Sequence, residues 1–433
     1  MGGRTAARLI ASLIVFAVSA EIVGLAAYYI DTGALFYTHR RAYEEPLPAP
    51  EDRLVLSEAV HPYFGFTHRP GAPFDIPESL RSDPAASLRR RTNNFGFVST
   101  HDYPFARTGT NQLLLGIFGG SVGVWFCEVG APRLVESLKR HPYFAAREVV
   151  PLCFSHEGYK QPQQSIVLDY FLARGQSLDL AVNIDGFNDV ALAVLNNRRA
   201  IDFSMPSVQH LDPLLGVVNQ SALTPDKLQS LAAIWQDRRL MLDLIARIRA
   251  TRSASVAVVI DRYYRAVRSR YVRELGRFSN LPSNPVDNAF VQVAPPLRPL
   301  EGSALFEDIA GVWVRSSAIM HELLTERGAG YFHFLQPNQY YTERTFTPAE
   351  AEVALNDASP YKASVAEGYP ILVRAAGTLG RQGVRFFDAT HVFDHERKPV
   401  YMDNCCHYTL VGNQVLADFI AASILGTPGP WRN

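Results

Sequence analysis

Apolar and polar positions follow three regimes along this chain, and each predicts a different kind of element. Residues 9–30 form one apolar run of 22 positions interrupted by a single charge, Glu21. From about residue 111 the apolar runs shorten to strand length, at 113–118, 148–154, 178–185, 331–335 and 384–387. Runs of that length, bounded by glycine and polar loops, suit strands covered on both faces. Stretches of helical period lie between them at 121–141, 163–174 and 360–382, and an apolar helix closes the chain to about 425. Pro370 predicts a break in the third of these. Strands alternating with helices at this spacing imply βαβ units and a parallel sheet of about five strands. From 200 to 328 the pattern turns helical, with long stretches at 225–251, 256–278 and 303–326 and a Pro-rich segment at 281–300.

The expected fold class is α/β: a three-layer α/β/α domain with a parallel sheet, a helical insertion and an N-terminal transmembrane helix. Its segments are an N-terminus at 1–8, the anchor at 9–30, an extended linker packing on the domain at 31–110, and the sheet domain at 111–199 and 329–433. The insertion at 200–328 splits that domain. Tyr263, Tyr264, Tyr271 and the neighbouring arginines give the insertion an amphipathic face, which suits a lid, a partner-binding surface or a packing layer.

As a helix, residues 9–30 would be about 33 Å long, enough to cross a bilayer core. Arg4 and Arg8 precede the run with no acidic residue between them. That predicts a cytoplasmic N-terminus and a periplasmic or extracellular sheet domain. Val18-Ser19-Ala20 also fits a signal-peptide cleavage site. Against cleavage, the apolar run resumes after Glu21, and Tyr28 and Tyr29 suit the interfacial belt. A carboxylate at Glu21 is costly at that depth unless it is protonated or met by a facing helix.

Between 43 and 83 the composition shifts to proline, glycine and scattered charge, with Pro46, Pro48, Pro50, Pro62, Pro70, Pro73 and Pro77. That reads as an extended connector lying over the domain. His61-Pro62-Tyr63-Phe64-Gly65-Phe66 is too aromatic for a free linker and should pack down. Asn93-Asn94-Phe95-Gly96-Phe97 reads as a turn placing Phe95 and Phe97 near the core, and Arg89-Arg90-Arg91 as a solvated run. Acidic and basic residues balance at 42 each, so no basic surplus points to nucleic acid. Cys127, Cys153, Cys405 and Cys406 are too few for a disulfide scaffold and lack Cys-x-x-Cys spacing. Outside the cytoplasm a disulfide involving Cys127, Cys153 or one of the adjacent pair is expected.

The candidate chemistry lies where predicted strands end. Leu113 to Phe118 runs into Gly119-Gly120-Ser121, a turn whose glycines permit a sharp bend and whose serine opens a helix. Free N–H groups there can hold an oxyanion. The second strand is followed by Ser155-His156-Glu157-Gly158-Tyr159 and the third by Gly186-Phe187-Asn188-Asp189. The closing loop is Asp403-Asn404-Cys405-Cys406-His407. In open α/β sheets these segments converge on one crevice. Taken singly, Ser121 reads as a helix cap, Asn188 as a turn residue and His407 as a structural histidine. Taken as a set they match the needs of acyl transfer through serine: a nucleophile, a base, a group orienting the base, and oxyanion donors.

In this set and order the chain resembles the SGNH (GDSL-type) hydrolase superfamily. The resemblance implies Ser121 as nucleophile, His407 as base, and an oxyanion hole of the Ser121 and Gly158 N–H groups with the Asn188 side chain. It implies esterase or O-acyl (acetyl) transferase activity on an ester-bearing small molecule, glycan or lipid, with no metal or organic cofactor. Asp189 is expected to cap the following helix. Gly120 stands where the family carries aspartate. Asp403 lies four residues before His407 rather than three, and Asn404 occupies the usual acid position. Asp403 is the favoured orienting group, with Asn404 the alternative. Asp388-Ala389-Thr390-His391 has the family's spacing but lacks the terminal apolar helix directly behind it; Asp394 is a more remote candidate.

Other readings fit less well. Gly116, Gly119, Gly120 and Gly123 do not make the dinucleotide-binding Gly-x-Gly-x-x-Gly. A metal site on Cys405, Cys406 and His407 lacks further ligands. A membrane-anchored accessory subunit that keeps the fold without turnover is the main rival, and the altered Asp–His spacing and the insertion, a possible protein-partner surface, both suit it.

Overall fold

The structure is a computed structural model describing residues 2–38, 58–80, 89–211, 214, 224–281 and 299–432. Pro46, Pro48 and Pro50 of the connector, and most of the Pro-rich segment at 281–300, lie outside the described residues. The chain forms two compact units, the larger built around the sheet and the smaller from the N-terminal helix and two long helices.

Two short antiparallel pairs open the larger unit: β1 (Glu58–His61) with β2 (Gly65–His68), and β3 (Pro73–Asp75) with β4 (Arg89–Arg91). The arginine run expected to be solvated is therefore a strand, with Arg90 Nε 3.0 Å from Glu128 Oε2. The aromatic connector packs down as expected: Phe64, Phe66 and Phe97 are fully buried.

The central sheet contains β5 (Gln112–Gly119), β6 (Glu148–Cys153), β7 (Leu180–Asp185), β8 (Gly330–Leu335) and β9 (Arg385–Asp388). All neighbours are parallel, in the order β6-β5-β7-β8-β9. Every residue of β5 is buried, as a strand between two helical layers requires. Ile117 pairs with Cys153 and Gly119 with Ile184, so β5, β6 and β7 end at one edge. The chain adds β6 on one side of β5 and then crosses to add β7, β8 and β9 on the other, which makes that edge a topological switch point.

Helices Gln163–Ala173, Phe187–Arg198, Gly302–Thr325 and Lys362–Arg381 form one layer. The helical run after Ser121 and the Leu410–Gly426 helix form the other. Three details differ from the sequence reading. The run after Ser121 is α-helical at Ser121–Trp125, widens to a π turn at Phe126–Gly130 and resumes at Ala131–Leu138. A Cys127–Cys153 disulfide ties that π turn to the end of β6. Lys362–Arg381 continues through Pro370, held by buried Tyr369 and Leu372 on either side.

The third difference concerns the insertion. Gly302–Thr325 packs on the sheet with Phe306, Ile309, Trp313, Met320 and Leu324 buried, so it is a layer helix and not part of the inserted unit. The inserted part of the smaller unit accordingly begins and ends inside the 200–328 span read from sequence. Its helices Pro225–Ala250 and Ala254–Asn280 share a core of Ile234, Met241, Leu244, Ile245, Ile248, Tyr264, Val267 and Tyr271. Of the three tyrosines on the amphipathic face, Tyr264 and Tyr271 are thus core, as the packing-layer reading has it, and Tyr263 is exposed.

The N-terminal helix Gly2–Thr32 includes a 26-residue stretch, Ala7–Thr32, long and apolar enough to cross a membrane as an anchor or to serve as a signal sequence. Its one interior charge is met as anticipated. Glu21 accepts hydrogen bonds from the Ser253 hydroxyl (2.6 Å), the Ala254 N–H (2.6 Å) and the Ser255 hydroxyl (3.1 Å), at the first turn of the Ala254–Asn280 helix.

Candidate active site

Ser121 sits where β5 turns into the first helix, half-buried at the switch point. His407 Nε2 lies 2.7 Å from Ser121 Oγ, and His407 Nδ1 is hydrogen-bonded to Asp403 Oδ2. The extra residue between acid and base has a simple geometry. Residues 400–409 form a hairpin in which Thr409 N–H bonds Val400 O at 2.8 Å, Tyr401 faces Tyr408, and Met402 N–H bonds His407 O at 3.0 Å. Asp403 and His407 therefore bracket the loop from opposite ends, and a four-residue offset brings their side chains together. Asp403 Oδ1 accepts the backbone N–H groups of Cys405 (2.9 Å), Cys406 (3.1 Å) and His407 (3.3 Å), so the carboxylate organises the turn it starts. Asn404 is exposed, and its carbonyl accepts the Tyr340 hydroxyl at 2.9 Å.

Burial alone would raise the Asp403 carboxyl, but the hydrogen bond and charge of His407, with the backbone donors, outweigh it and leave the pKa lowered. For His407, burial would lower the pKa, yet the Asp403 hydrogen bond and charge prevail and raise it. The hairpin is anchored by a fully buried ion pair. Arg344 Nη2 lies 2.8 Å from Glu350 Oε2, while Glu350 Oε1 accepts the Val400 N–H at 2.8 Å. Arg344 also donates to the carbonyls of Phe393 (2.8 Å) and Lys398 (2.7 Å).

Asn188 and the loop carrying Gly158 come together beside Gly120, the residue before Ser121. His156 N–H bonds Gly119 O at 3.3 Å, which docks the loop after β6 onto the end of β5. Gly158 has φ of +76°, and a Cβ there would lie 2.4 Å from the His210 ring, so glycine is required twice over. Asn188 Nδ2 donates to Tyr159 O at 2.8 Å, leaving its second N–H for another acceptor. A Cβ on Gly120 would come within 2.1 Å of Asn188 Nδ2. Glycine at 120 thus has a steric reason: the Asn188 amide occupies the space a side chain there would need. Asp189 caps its helix, accepting the Gly186 N–H at 3.0 Å, and also takes the Gln161 N–H at 2.8 Å. Burial, helped by the nearby Asp185 charge, pushes its pKa up to about 7.

The Asp388–His391 turn makes its hydrogen bonds apart from this group. His391 Nδ1 pairs with Asp394 Oδ2 at 2.7 Å, with the His391 side chain half exposed, while Asp388 accepts the Thr390 N–H at 2.9 Å. Cys405 and Cys406 are free thiols with sulfurs 3.3 Å apart. Cys405, Cys406 and His407 lie close enough to share an ion, with both His407 nitrogens engaged by Ser121 and Asp403.

The sequence reading missed a buried network under the Gly186–Asp189 turn. Asp185 Oδ1 accepts from Trp313 Nε1 and His333 Nε2, each at 2.7 Å, and Asp185 Oδ2 accepts from Asn183 Nδ2 at 2.8 Å. His333 Nδ1 in turn lies 2.8 Å from Ser317 Oγ. The available signal was polar residues inside apolar strands: Asn183 and Asp185 in β7, and His333 in β8.

No family model matches this chain, and no curated protein matches it. Solved structures that match include a lipase, Lip_vut3, from a goat rumen metagenome. The two share 10% identity at a TM-score of 0.31, over 72% of this chain and 97% of that one. At so low a TM-score the likeness adds nothing to the reading of the site, which rests on its own geometry.

Proposed function

We propose that the chain is an SGNH-type serine esterase or O-acyltransferase, anchored by its N-terminal helix and acting outside the cytoplasm on a glycan or lipid ester. The observation that carries this reading is the hydrogen-bonded line Ser121 Oγ–His407–Asp403 at the carboxyl end of the sheet. In the proposed reaction Ser121 Oγ attacks the ester carbonyl as His407 Nε2 takes its proton. The Ser121 and Gly158 N–H groups and Asn188 Nδ2 hold the developing oxyanion. His407 returns the proton to the departing alcohol, leaving an acyl-enzyme. Water or an acceptor hydroxyl, deprotonated by His407, then releases the acyl group as acid or new ester. Asp403 keeps the imidazole oriented and stabilises its charged form.

The spacing that suited an accessory subunit is absorbed by the hairpin, which weakens that alternative. A fluorophosphonate probe tests the proposal. Stoichiometric labelling of wild type that disappears in Ser121→Ala supports an enzyme; a folded wild type that never labels favours the accessory role. Asn188→Ala should label more slowly and lower kcat by about 10²–10³.

A further inference from the structure

A second cluster of chemical groups lies behind the loop carrying Gly158. Glu58 opens β1 and His68 closes β2, and the two are direct partners across the antiparallel pair, which puts their side chains on one face. His156 follows β6 and reaches the same place, its ring centroid 4.2 Å from that of His68. One donor atom from each of Glu58, His68 and His156 lies within 4.8 Å of the other two.

The hydrogen bonds around the cluster point to a ligand. His156 is fully buried, its Nδ1 lies 2.9 Å from the Glu157 carbonyl, and its Nε2 makes no hydrogen bond among the described residues. A buried ring nitrogen without a partner bears the full cost of leaving water. His68 directs Nε2 to Glu157 Oε2 at 3.0 Å, so Nδ1 is the atom it offers to the cluster. Glu58 is braced by His210 Nδ1 at 3.0 Å from its Oε1. This is the pattern of metal-binding histidines, in which one ring nitrogen is oriented by a carbonyl or carboxylate and the other faces the ion.

We propose that Glu58, His68 and His156 bind a divalent transition-metal ion, with Zn²⁺ the best match to two imidazoles and one carboxylate. Imidazole donors disfavour Ca²⁺ and Mg²⁺, which prefer all-oxygen shells. Tetrahedral Zn²⁺ with bonds of about 2.0–2.2 Å leaves its fourth position to water and asks for side-chain shifts of roughly an ångström. The ion pins the β1–β2 pair to the loop at 155–159. His210, which braces Glu58, also lies against Gly158, so the metal supports the loop next to Ser121 without touching the reacting atoms.

The test reads metal directly and is independent of ester cleavage, so it stands or falls apart from the serine proposal. The full-length protein, stripped with a chelator, is titrated with Zn²⁺ and with Co²⁺, following metal content, the Co²⁺ visible spectrum and Tm. The expected result is one equivalent bound, a tetrahedral Co²⁺ band and a Tm that rises with Zn²⁺. Glu58→Gln should weaken binding by about 10- to 100-fold or more, and His156→Gln should abolish the band. Glu58→Gln decides alone if the buried His156 variant does not fold. No uptake by wild type overturns the proposal. So does binding that persists in Glu58→Gln, or binding lost instead in His391→Ala or Cys405→Ser, which would assign the ion to the exposed Glu343–His391–Asp394 cluster or to the paired thiols.

Discussion

Two stretches of this chain offer a histidine with a nearby aspartate, and they differ in how the backbone holds them. The turn at 388–394 has the expected Asp-x-x-His spacing, yet Asp388 bonds the backbone of its own turn and His391 pairs outward with Asp394. The hairpin at 400–409 has the unexpected spacing, but it is closed by a short ladder and anchored by the buried Arg344–Glu350 pair. Spacing along the chain is only a proxy for side-chain direction. A ladder that sets two residues facing each other replaces one spacing with another at no cost to geometry.

The contrast can be broken most sharply at the carboxylates. Asp403→Asn should lower kcat by about 10⁴ while Ser121 stays reactive enough to label slowly, whereas Asn404→Ala should leave turnover within about twofold. Steady-state kinetics on an activated ester checks both; equal losses would reverse the assignment. Next in size is the anchor of the hairpin. Glu350→Ala leaves Arg344 buried without its partner and should cost about 3–5 kcal/mol in urea unfolding. The equivalent cut on the other turn, Asp394→Ala, should cost less, because His391 is half exposed.

A pH profile sharpens the same comparison. The base must be neutral to take the Ser121 proton, and Asp403 raises the His407 pKa. Thus kcat/KM should fall as pH drops, by about tenfold per unit below a pKa above His407's ordinary value. In Asp403→Asn that limb should move to lower pH, because the raising charge is gone. The smallest effect is the control: His391→Ala should change neither the limb nor the rate, and stability by no more than about 0.5 kcal/mol.

Much of this arrangement was legible from residues alone, because local pattern decides it. The five strands are apolar runs ending in polar loops, Ser121, Gly158 and Asn188 follow the ends of three of them, and His407 lies in the closing loop before the terminal apolar helix. What stayed hidden depends on partners far away in sequence. Gly302–Thr325 has the same helical period as the inserted helices, and nothing local reveals that Trp313 reaches Asp185. Glu58, His68 and His156 meet only because a hairpin register brings two of them to the end of a strand. The contribution of Gly120 is an absence, the room left for Asn188, which no motif at that position states.

The Glu21 carboxylate has a practical consequence for how the protein is prepared. It caps the Ala254–Asn280 helix, and Tyr28 and Phe36 share a small core with Ala254 and Ala257. A soluble fragment trimmed past Thr32 would lose the cap and Tyr28 together, leaving the inserted hairpin frayed at its tip and prone to self-association. Trimming just ahead of Glu21 removes most of the greasy segment and keeps both.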